Sequence, residues 1–247
     1  MEAPHPHSHR DHKKKWTEYF IEFFMLFLAV FLGFVAENFR EHQVEHQRER
    51  QYISSMIDDV KLDTASLNII SHRRIRRREM FDSLTNFLNS TQRNDLVPRL
   101  YYFARQMQRL SPVIFTYNDR TIQQLKSGGN MRLIRSQAVT DAIVLYDAAV
   151  RDLNVTEERE DHYMMQCLPY VYKLFDGKVM DVMVDSLGDI HEPPAGIELL
   201  PFDKATLNDF NGSLHSMKSS NKIILVKMKI LIDQGERLLN ILQKESE

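Results

Sequence analysis

Cysteine, glycine and proline are all scarce in this chain, and each scarcity excludes a class of structure. Its 247 residues include one cysteine, eight glycines and eight prolines. The single thiol, Cys167, excludes an internal disulfide and a zinc cluster held by several cysteines. The glycines form neither of the phosphate-binding patterns G-x-x-x-x-G-K and G-x-G-x-x-G. The sequence therefore carries no signature of a disulfide-stapled domain or of a nucleotide-binding loop.

An excess of charge of one sign is also missing. The chain carries 32 Lys and Arg residues against 34 Asp and Glu residues, for a formal net charge of −2. Domains that bind nucleic acid usually present a strongly basic surface. The balanced composition therefore predicts that nucleic acid is not a partner of this protein.

One long apolar run stands out against this background. It extends over Tyr19–Ala36 and reads YFIEFFMLFLAVFLGFVA. As a helix it rises roughly 27 Å at about 1.5 Å per residue, close to the roughly 30 Å of a bilayer's hydrocarbon core. The run is also longer than the apolar core of a cleaved signal peptide, which spans roughly 7–15 residues. We therefore predict an uncleaved transmembrane helix over residues 13–39.

The charges that flank this run predict its orientation. Arg10 and the three lysines at positions 13–15 precede it, whereas residues 37–50 mix acids with arginines. Basic flanks stay on the cytoplasmic side of a membrane. We expect residues 1–12, a His-rich tail, to be disordered in the cytoplasm and the rest of the chain to be exported. An exported domain with one cysteine is typical of a bacterial periplasmic protein anchored in the inner membrane.

Helical periodicity dominates the remaining sequence. Apolar residues at helical spacing continue to about Asn89, which predicts a stalk helix over residues 40–92 followed by a periplasmic helical bundle over 93–247. Pro169 is expected to kink or interrupt a long helix, because proline lacks the backbone donor. No strand pattern of useful length competes, so the predicted fold class is all-α. Further helices are expected to begin near Asn94, Asn118, Ser136 and residue 205.

Glycine and proline also mark two loops. The turn at residues 127–129, Ser-Gly-Gly, is expected to end the third helix through a glycine in the left-handed conformation. The segment 188–204 is the longest stretch rich in proline and glycine, and we expect it to lie on the surface.

Several residues of the predicted span are candidates for membrane or assembly contacts. Glu22 lies within the apolar run with Glu18 one turn earlier, and the two carboxylates suggest either a pore lining or an interfacial position near Lys15. The interfacial interpretation is favoured, because Glu22 lies near the end of the span. Gly33 and Ala36 are small enough to allow close helix approach. The full set of candidates is Glu18, Glu22, Gly33, Ala36, Glu37 and Asn38.

A basic run in the predicted stalk is the strongest local charge feature. It comprises Arg73, Arg74, Arg76, Arg77 and Arg78. These arginines suggest either a contact with a polyanion or a solvated, salt-bridged helix face. We favour the second interpretation, because charge runs on helices are usually solvated and acidic residues are plentiful elsewhere in the chain.

Histidine and cysteine offer little further chemistry. His42 and His46 lie one turn apart, but without the HExxH order of a metalloprotease and without a visible third ligand. Cys167 lies in an apolar helical context that predicts a buried thiol. We identify no catalytic constellation, metal site or cofactor-binding motif, and expect a protein that is not an enzyme.

Two stretches resemble a known family. The exit from the span, AENFRE at residues 36–41, and TIQQLKSGGNMRLI at residues 121–134 are similar to motifs of a family of uncharacterised single-pass membrane proteins common in Bacteroidota. The second motif is followed by a helix with an Ile and Tyr pair, here Ile143 and Tyr146. The resemblance covers roughly residues 13–150 and implies single-pass topology and bacterial origin. It implies no reaction.

These features together predict a non-enzymatic, membrane-anchored helical module that works by protein contact in the bacterial envelope. The bilayer and either further copies of the chain or a larger envelope complex are the expected partners. One alternative is a homo-oligomeric channel formed by the single span. Another is a periplasmic ligand sensor, which would signal through a partner because the cytoplasmic tail is too short for an output domain.

Overall fold

The protein is built from six α-helices, as seen in a computed structural model that describes residues 16–109 and 114–246. The helices are α1 (Trp16–Leu88), α2 (Val97–Arg109), α3 (Arg120–Ser127), α4 (Gln137–Leu174), α5 (Gly177–Val182) and α6 (Lys204–Ser246). Short 3-10 helices cover Arg93–Leu96 and Asn130–Leu133. The described residues contain no strand, so the all-α prediction is confirmed. The predicted tail over residues 1–12 and the lysines at 13–15 lie outside the described residues.

The chain divides into two compact units, Met1–Arg50 and Gln51–Glu247, and α1 contributes residues to both. This division differs from the predicted stalk over residues 40–92. Residues 51–88 belong to the second unit, because the apolar face that begins at Ile53 and Met56 is buried there. The periodicity identified the helix correctly but did not show that other helices cover its apolar face.

In the second unit, α4 runs parallel to α1. The hydroxyl of Tyr146 donates a hydrogen bond to Asp63, and further along both helices Arg74 pairs with Glu157. Residue numbers thus rise together on the two helices, which fixes their relative direction. Pro169 lies inside α4, which continues to Leu174, so this proline does not end the helix.

Helix α6 runs antiparallel to both α1 and α4. Gly235, near the end of α6, lies against Thr64 of α1 and Tyr146 of α4. Earlier in α6, Asn221 bonds to Arg74, which lies later in α1. A Cβ atom at Gly235 would lie 3.1 Å from the Thr64 hydroxyl oxygen, tighter than ordinary van der Waals contact. The absence of a side chain at Gly235 therefore permits the close approach of three helices.

The interior of the second unit consists of two apolar clusters separated by a layer of charged and polar side chains. One cluster uses α1 up to Ile70 and α6 from Ile224 onward, whereas the other uses α1 from Met80 and α6 up to Met217. We call the intervening group the polar layer. It comprises Arg74, Arg77, Glu157, Glu160 and Asn221, all buried.

The loops partly match their predictions. Gly129 adopts φ 62°, which confirms a left-handed glycine after α3. The proline-rich loop was expected to lie on the surface, but its apolar side chains Ile197, Leu199 and Phe202 are partly buried against the cluster that contains Met80.

The short helix α5 was not predicted. Its start is capped by the Asp176 carboxylate, which accepts a hydrogen bond from the Lys178 amide. Six residues are too few for a periodic apolar pattern to stand out in the sequence.

Candidate functional site

The apolar run is solvent-exposed over its whole length in the first unit. One helix in the described part of the chain, α1, is long and apolar enough to cross a membrane, and its most apolar window is entirely unburied. Phe34, for example, is 74% exposed. Large aromatic and aliphatic side chains are seldom exposed in such a continuous patch in a soluble protein. No other part of residues 16–109 and 114–246 covers this window, which is long and apolar enough to cross a membrane.

The membrane or assembly candidates are all exposed in the described chain. Glu18, Glu22, Ala36 and Asn38 contact no buried core, and an added Cβ at Gly33 would meet no atom within 4 Å. Glu37 forms an exposed ion pair with Arg40, with 2.5 Å between Oε1 and Nη2. Their proposed roles in a membrane or an assembly stay predictions.

The basic run is divided between the surface and the interior. Arg74 and Arg77 are buried, with relative exposures of 0% and 1%. A contact between these two residues and an external polyanion is therefore wrong, because their guanidinium groups do not reach solvent. Arg73, Arg76 and Arg78 are exposed, as expected of a solvated helix face.

Instead, the two buried arginines form the polar layer with carboxylates of α4. Arg74 donates from Nη2 to Glu157 Oε1 at 3.0 Å and from Nη1 to Glu160 Oε2 at 2.9 Å. Arg77 Nη1 donates to the same Glu160 oxygen at 3.0 Å. Asn221 of α6 accepts from Arg74 Nη1 at 3.3 Å and donates to the Arg74 carbonyl at 3.1 Å. The layer thus joins all three long helices.

Charge is balanced in the polar layer, since two guanidinium groups face two carboxylates. Burial raises the pKa of Glu157, and the neighbouring Arg74 opposes that rise. Burial lowers the pKa of Arg77, and Glu160 opposes that fall. The Arg77 guanidinium also lies 5.3 Å from the ring centroid of Phe81, a cation–π contact. Removing one member would leave an uncompensated charge in the interior, which is strongly destabilising.

Glu157 also begins a row of carboxylates that fixes the segment between α2 and α3. It accepts a hydrogen bond from the Phe115 amide at 3.1 Å. Asp63 accepts from the Asn118 amide at 2.8 Å. Farther along, Asp59 Oδ2 accepts from the Thr121 amide and, at 2.5 Å, from the Thr121 hydroxyl. We call residues 114–121 the anchored segment, because amides three residues apart are each bound by a buried carboxylate.

Asp63 of this row accepts hydrogen bonds from two side chains as well as from a backbone amide. Besides the Asn118 amide, it accepts hydrogen bonds from the Asn118 side chain and, at 2.8 Å, from the Tyr146 hydroxyl. Burial raises the pKa of Asp63, against the hydrogen bonds that lower it, and nearby Asp59 raises it further. Burial also raises the pKa of Tyr146, so this hydroxyl stays protonated and donates. The arrangement positions the backbone of the anchored segment.

The cysteine and the stalk histidines lie in environments that offer no reactive group. Cys167 is buried, as predicted, and burial raises the pKa of its thiol to about 12, which keeps it protonated and unreactive. His46 Nδ1 lies 3.2 Å from Glu49 Oε2, and His42 lies 4.0 Å from Glu45. Within residues 16–109 and 114–246, no group of three or more potential ligands forms a metal site.

Sequence reasoning missed the carboxylates that bind the arginines and the anchored segment. A signal for them exists in the helical spacing. On α4, Glu157 and Glu160 continue the buried stripe of Val150 and Leu153, and on α1 Asp63 lies between Val60 and Leu67. An acid at a position where the stripe demands an apolar residue indicates a buried, paired group. The partners themselves are distant in sequence and are not visible in a local pattern.

Comparisons with known proteins do not add a relative: no family model, no curated protein and no solved structure matches this chain.

Proposed function

We propose that this protein is a membrane-anchored helical module that acts through protein contacts. The observation that carries the proposal is the fully exposed apolar window of α1 in a chain whose second unit is a compact helical body with its own core. A bilayer covers the apolar side chains of this window. The helix can cross lipid because its backbone hydrogen bonds are made within the helix. The helical body then remains in water.

We also propose an orientation of the chain in the membrane and a compartment for the helical body. The lysines at positions 13–15 favour a cytoplasmic N-terminus, which directs the helical body to the periplasm of a bacterial cell. The motifs that resemble the uncharacterised single-pass family of Bacteroidota support the same topology. The second of these motifs forms α3 and the following 3-10 helix of the helical body.

The hydrogen bonds that the buried acids make within the chain support a contact function rather than catalysis. Within the described residues, the buried acids Asp59, Asp63 and Glu157 bind backbone amides, and Glu160 binds arginines. Exposed apolar side chains on α6 provide surface of the kind that protein contacts bury. They are Ile223, Val226 and Ile230, which are spaced along one side of the helix.

A pair of reporter fusions tests the topology. A fluorescent protein that matures only in the cytoplasm should be bright when fused before Met1 and dark when fused after Glu247. A periplasm-specific phosphatase at the same two sites should give the opposite pattern. Extraction with alkaline carbonate should leave the full chain in the membrane pellet. A bright C-terminal fusion, or release by carbonate, would contradict the proposal.

Assembly is tested by purifying the full chain from native membranes in mild detergent. We expect it to elute with further copies of itself or with a reproducible set of envelope proteins. Liposomes containing the purified protein should show no conductance. A conductance that Glu22→Gln changes without altering assembly would instead support a channel. A monomer with no co-purifying protein would contradict the contact function.

A further inference from the structure

A cleft of about 550 Å³ opens between α2, α4 and α5 in the second unit. Its size lies within the range of small-molecule sites, roughly 300–1,000 Å³. It is separate from the polar layer residues and from the anchored segment. None of the contacts described above explains its lining.

Methionines and a tyrosine line the apolar part of the cleft. Met164 and Met180 are buried, whereas Met165 and Tyr172 remain 62% and 61% exposed. Met165 and Tyr172 are seven residues apart on α4 and so lie on the same side of that helix. Methionine side chains adapt to ligands of different shape and make favourable contacts with aromatic rings. This wall suits flexible apolar groups of a ligand.

The polar part of the cleft contains charges without partners. Arg105 donates from Nη1 to Gln108 at 3.0 Å but forms no ion pair among the described residues. Asp161 and Asp181 also line the cleft, and neither forms an ion pair within the described part of the chain. Charges of both signs that lack an ion-pair partner within the described residues suit a ligand that itself carries both charges.

We propose that this cleft binds a small zwitterion with apolar side chains, of the kind represented by a short peptide. The ligand carboxylate accepts a hydrogen bond from Arg105, and its ammonium group is paired by the acids Asp161 and Asp181. Its apolar side chains lie against Met165 and Tyr172. Arginine recognises carboxylates strongly through charge-assisted hydrogen bonds, so Arg105 determines how the ligand is oriented.

Isothermal titration of the full chain in lipid nanodiscs tests the proposal with the dipeptide Leu-Phe. We expect one site per chain with a Kd between about 1 μM and 1 mM. N-acetyl-Leu-Phe-amide carries the same side chains without the two charges, and we expect it to bind at least tenfold more weakly. Absence of heat with Leu-Phe at several millimolar, or equal affinity for both probes, would overturn the proposal.

Substitutions in the cleft test whether Leu-Phe binds there. Arg105→Lys keeps the positive charge but removes the planar guanidinium group, and we expect at least a tenfold loss of affinity. The double variant Asp161→Asn with Asp181→Asn should weaken Leu-Phe binding similarly while leaving the neutral probe unchanged. Matched controls are Arg237→Lys and Asp233→Asn on the exposed side of α6, which should bind as the natural chain does.

Circular dichroism melts test whether each variant is folded. If both cleft variants are folded and bind Leu-Phe with unaltered affinity, the cleft is not the site. This inference does not depend on membrane anchoring, so its failure leaves the proposed function in place.

Discussion

Burial determines what each arginine of the basic run does. Arg74 and Arg77 lie three residues apart on the stripe that continues from Val60 and Leu67, so the helix turns both toward the core. Their neighbours in the same run turn outward. A charge cluster in the sequence thus splits into interior ion pairs and a solvated face, and the two groups have different effects on stability.

Replacing a buried arginine should therefore cost far more than replacing an exposed one. We expect Arg74→Met to lower the free energy of unfolding by about 3–5 kcal/mol, because Glu157 and Glu160 lose a buried cation. Arg73→Met is the matched control on the exposed face and should change it by less than about 0.5 kcal/mol. Denaturant unfolding of the full chain in detergent, followed by circular dichroism, measures both. Equal effects would show that the polar layer is not buried.

Asp63 should make stability depend on pH. Its pKa is raised from an ordinary value of 3.8, so the folded state binds the proton more tightly than the unfolded state does. The stability that this proton contributes is fully present below about pH 3.8 and is lost as pH rises through the raised pKa. Relative to Asp63→Asn, the natural chain should therefore lose stability as pH increases above about 4. Asp58→Asn, at an exposed acid on the same helix, should show no such trend.

At the scale of the helix, the same residue type has opposite effects at two positions of α6. Gly235 lies at the close approach to α1 and α4, whereas an added Cβ at Gly212 would meet no atom within 4 Å. Glycine in an open helical position costs roughly 0.5–1 kcal/mol relative to a helix-forming residue. Close packing therefore favours glycine at position 235, although helix propensity disfavours it there.

Leucine substitutions at the two glycines should move stability in opposite directions. Gly235→Leu forces atoms into the contact with Thr64 and should destabilise the protein by about 1–3 kcal/mol. Gly212→Leu should stabilise it by up to about 1 kcal/mol through helix propensity. Thermal melts of the full chain in the same detergent compare the melting temperatures of the two variants. A stabilised Gly235→Leu variant would mean that the helices do not approach closely there.

The apolar part of α1 carries a prediction about assembly. If copies pack through this segment, Gly33→Leu should reduce cross-linked oligomers in membranes, since small residues permit close helix approach. Phe31→Leu, two residues away and on nearly the opposite side of the helix, is the matched control and should leave the cross-linking pattern unchanged. An unaltered pattern with Gly33→Leu would exclude assembly through this face.

At the scale of the whole molecule, the polar layer interrupts the core of the second unit. Charged groups from α1 and α4 separate its two apolar clusters. Because Arg74 and Glu160 pair at one relative height of their helices, the layer fixes the register between them. We infer that its contribution lies in a unique arrangement of helices more than in net stability.

Removing all four charges of the polar layer should therefore cost less than removing one of them. We expect the combined variant Arg74→Met, Arg77→Leu, Glu157→Gln and Glu160→Leu to be more stable than Arg74→Met alone, since no uncompensated charge stays buried. The side-chain amide introduced by Glu157→Gln still provides an acceptor for the Phe115 N–H. Unfolding midpoints compare the two variants. A combined variant less stable than the single one would show that the ion pairs themselves supply net stability.

Local sequence patterns predict the helical fold class, the apolar segment and several helix limits. Each depends on local properties: continuous hydrophobicity over Tyr19–Ala36, helical periodicity, and the left-handed freedom of Gly129. The buried state of Cys167 was also visible, because its helical neighbours are apolar. These features require no knowledge of which helices are neighbours.

Tertiary structure alone decided which charges are buried and where the helical body begins. Whether residues 51–88 form a free stalk or a core helix depends on α4 and α6 covering their apolar face. Likewise, Arg74 and Glu160 are 86 residues apart in sequence, and only the parallel packing of α1 and α4 brings them within 2.9 Å. Local propensity carries no information about such distant pairs, because their energy arises only once burial has removed water from both partners.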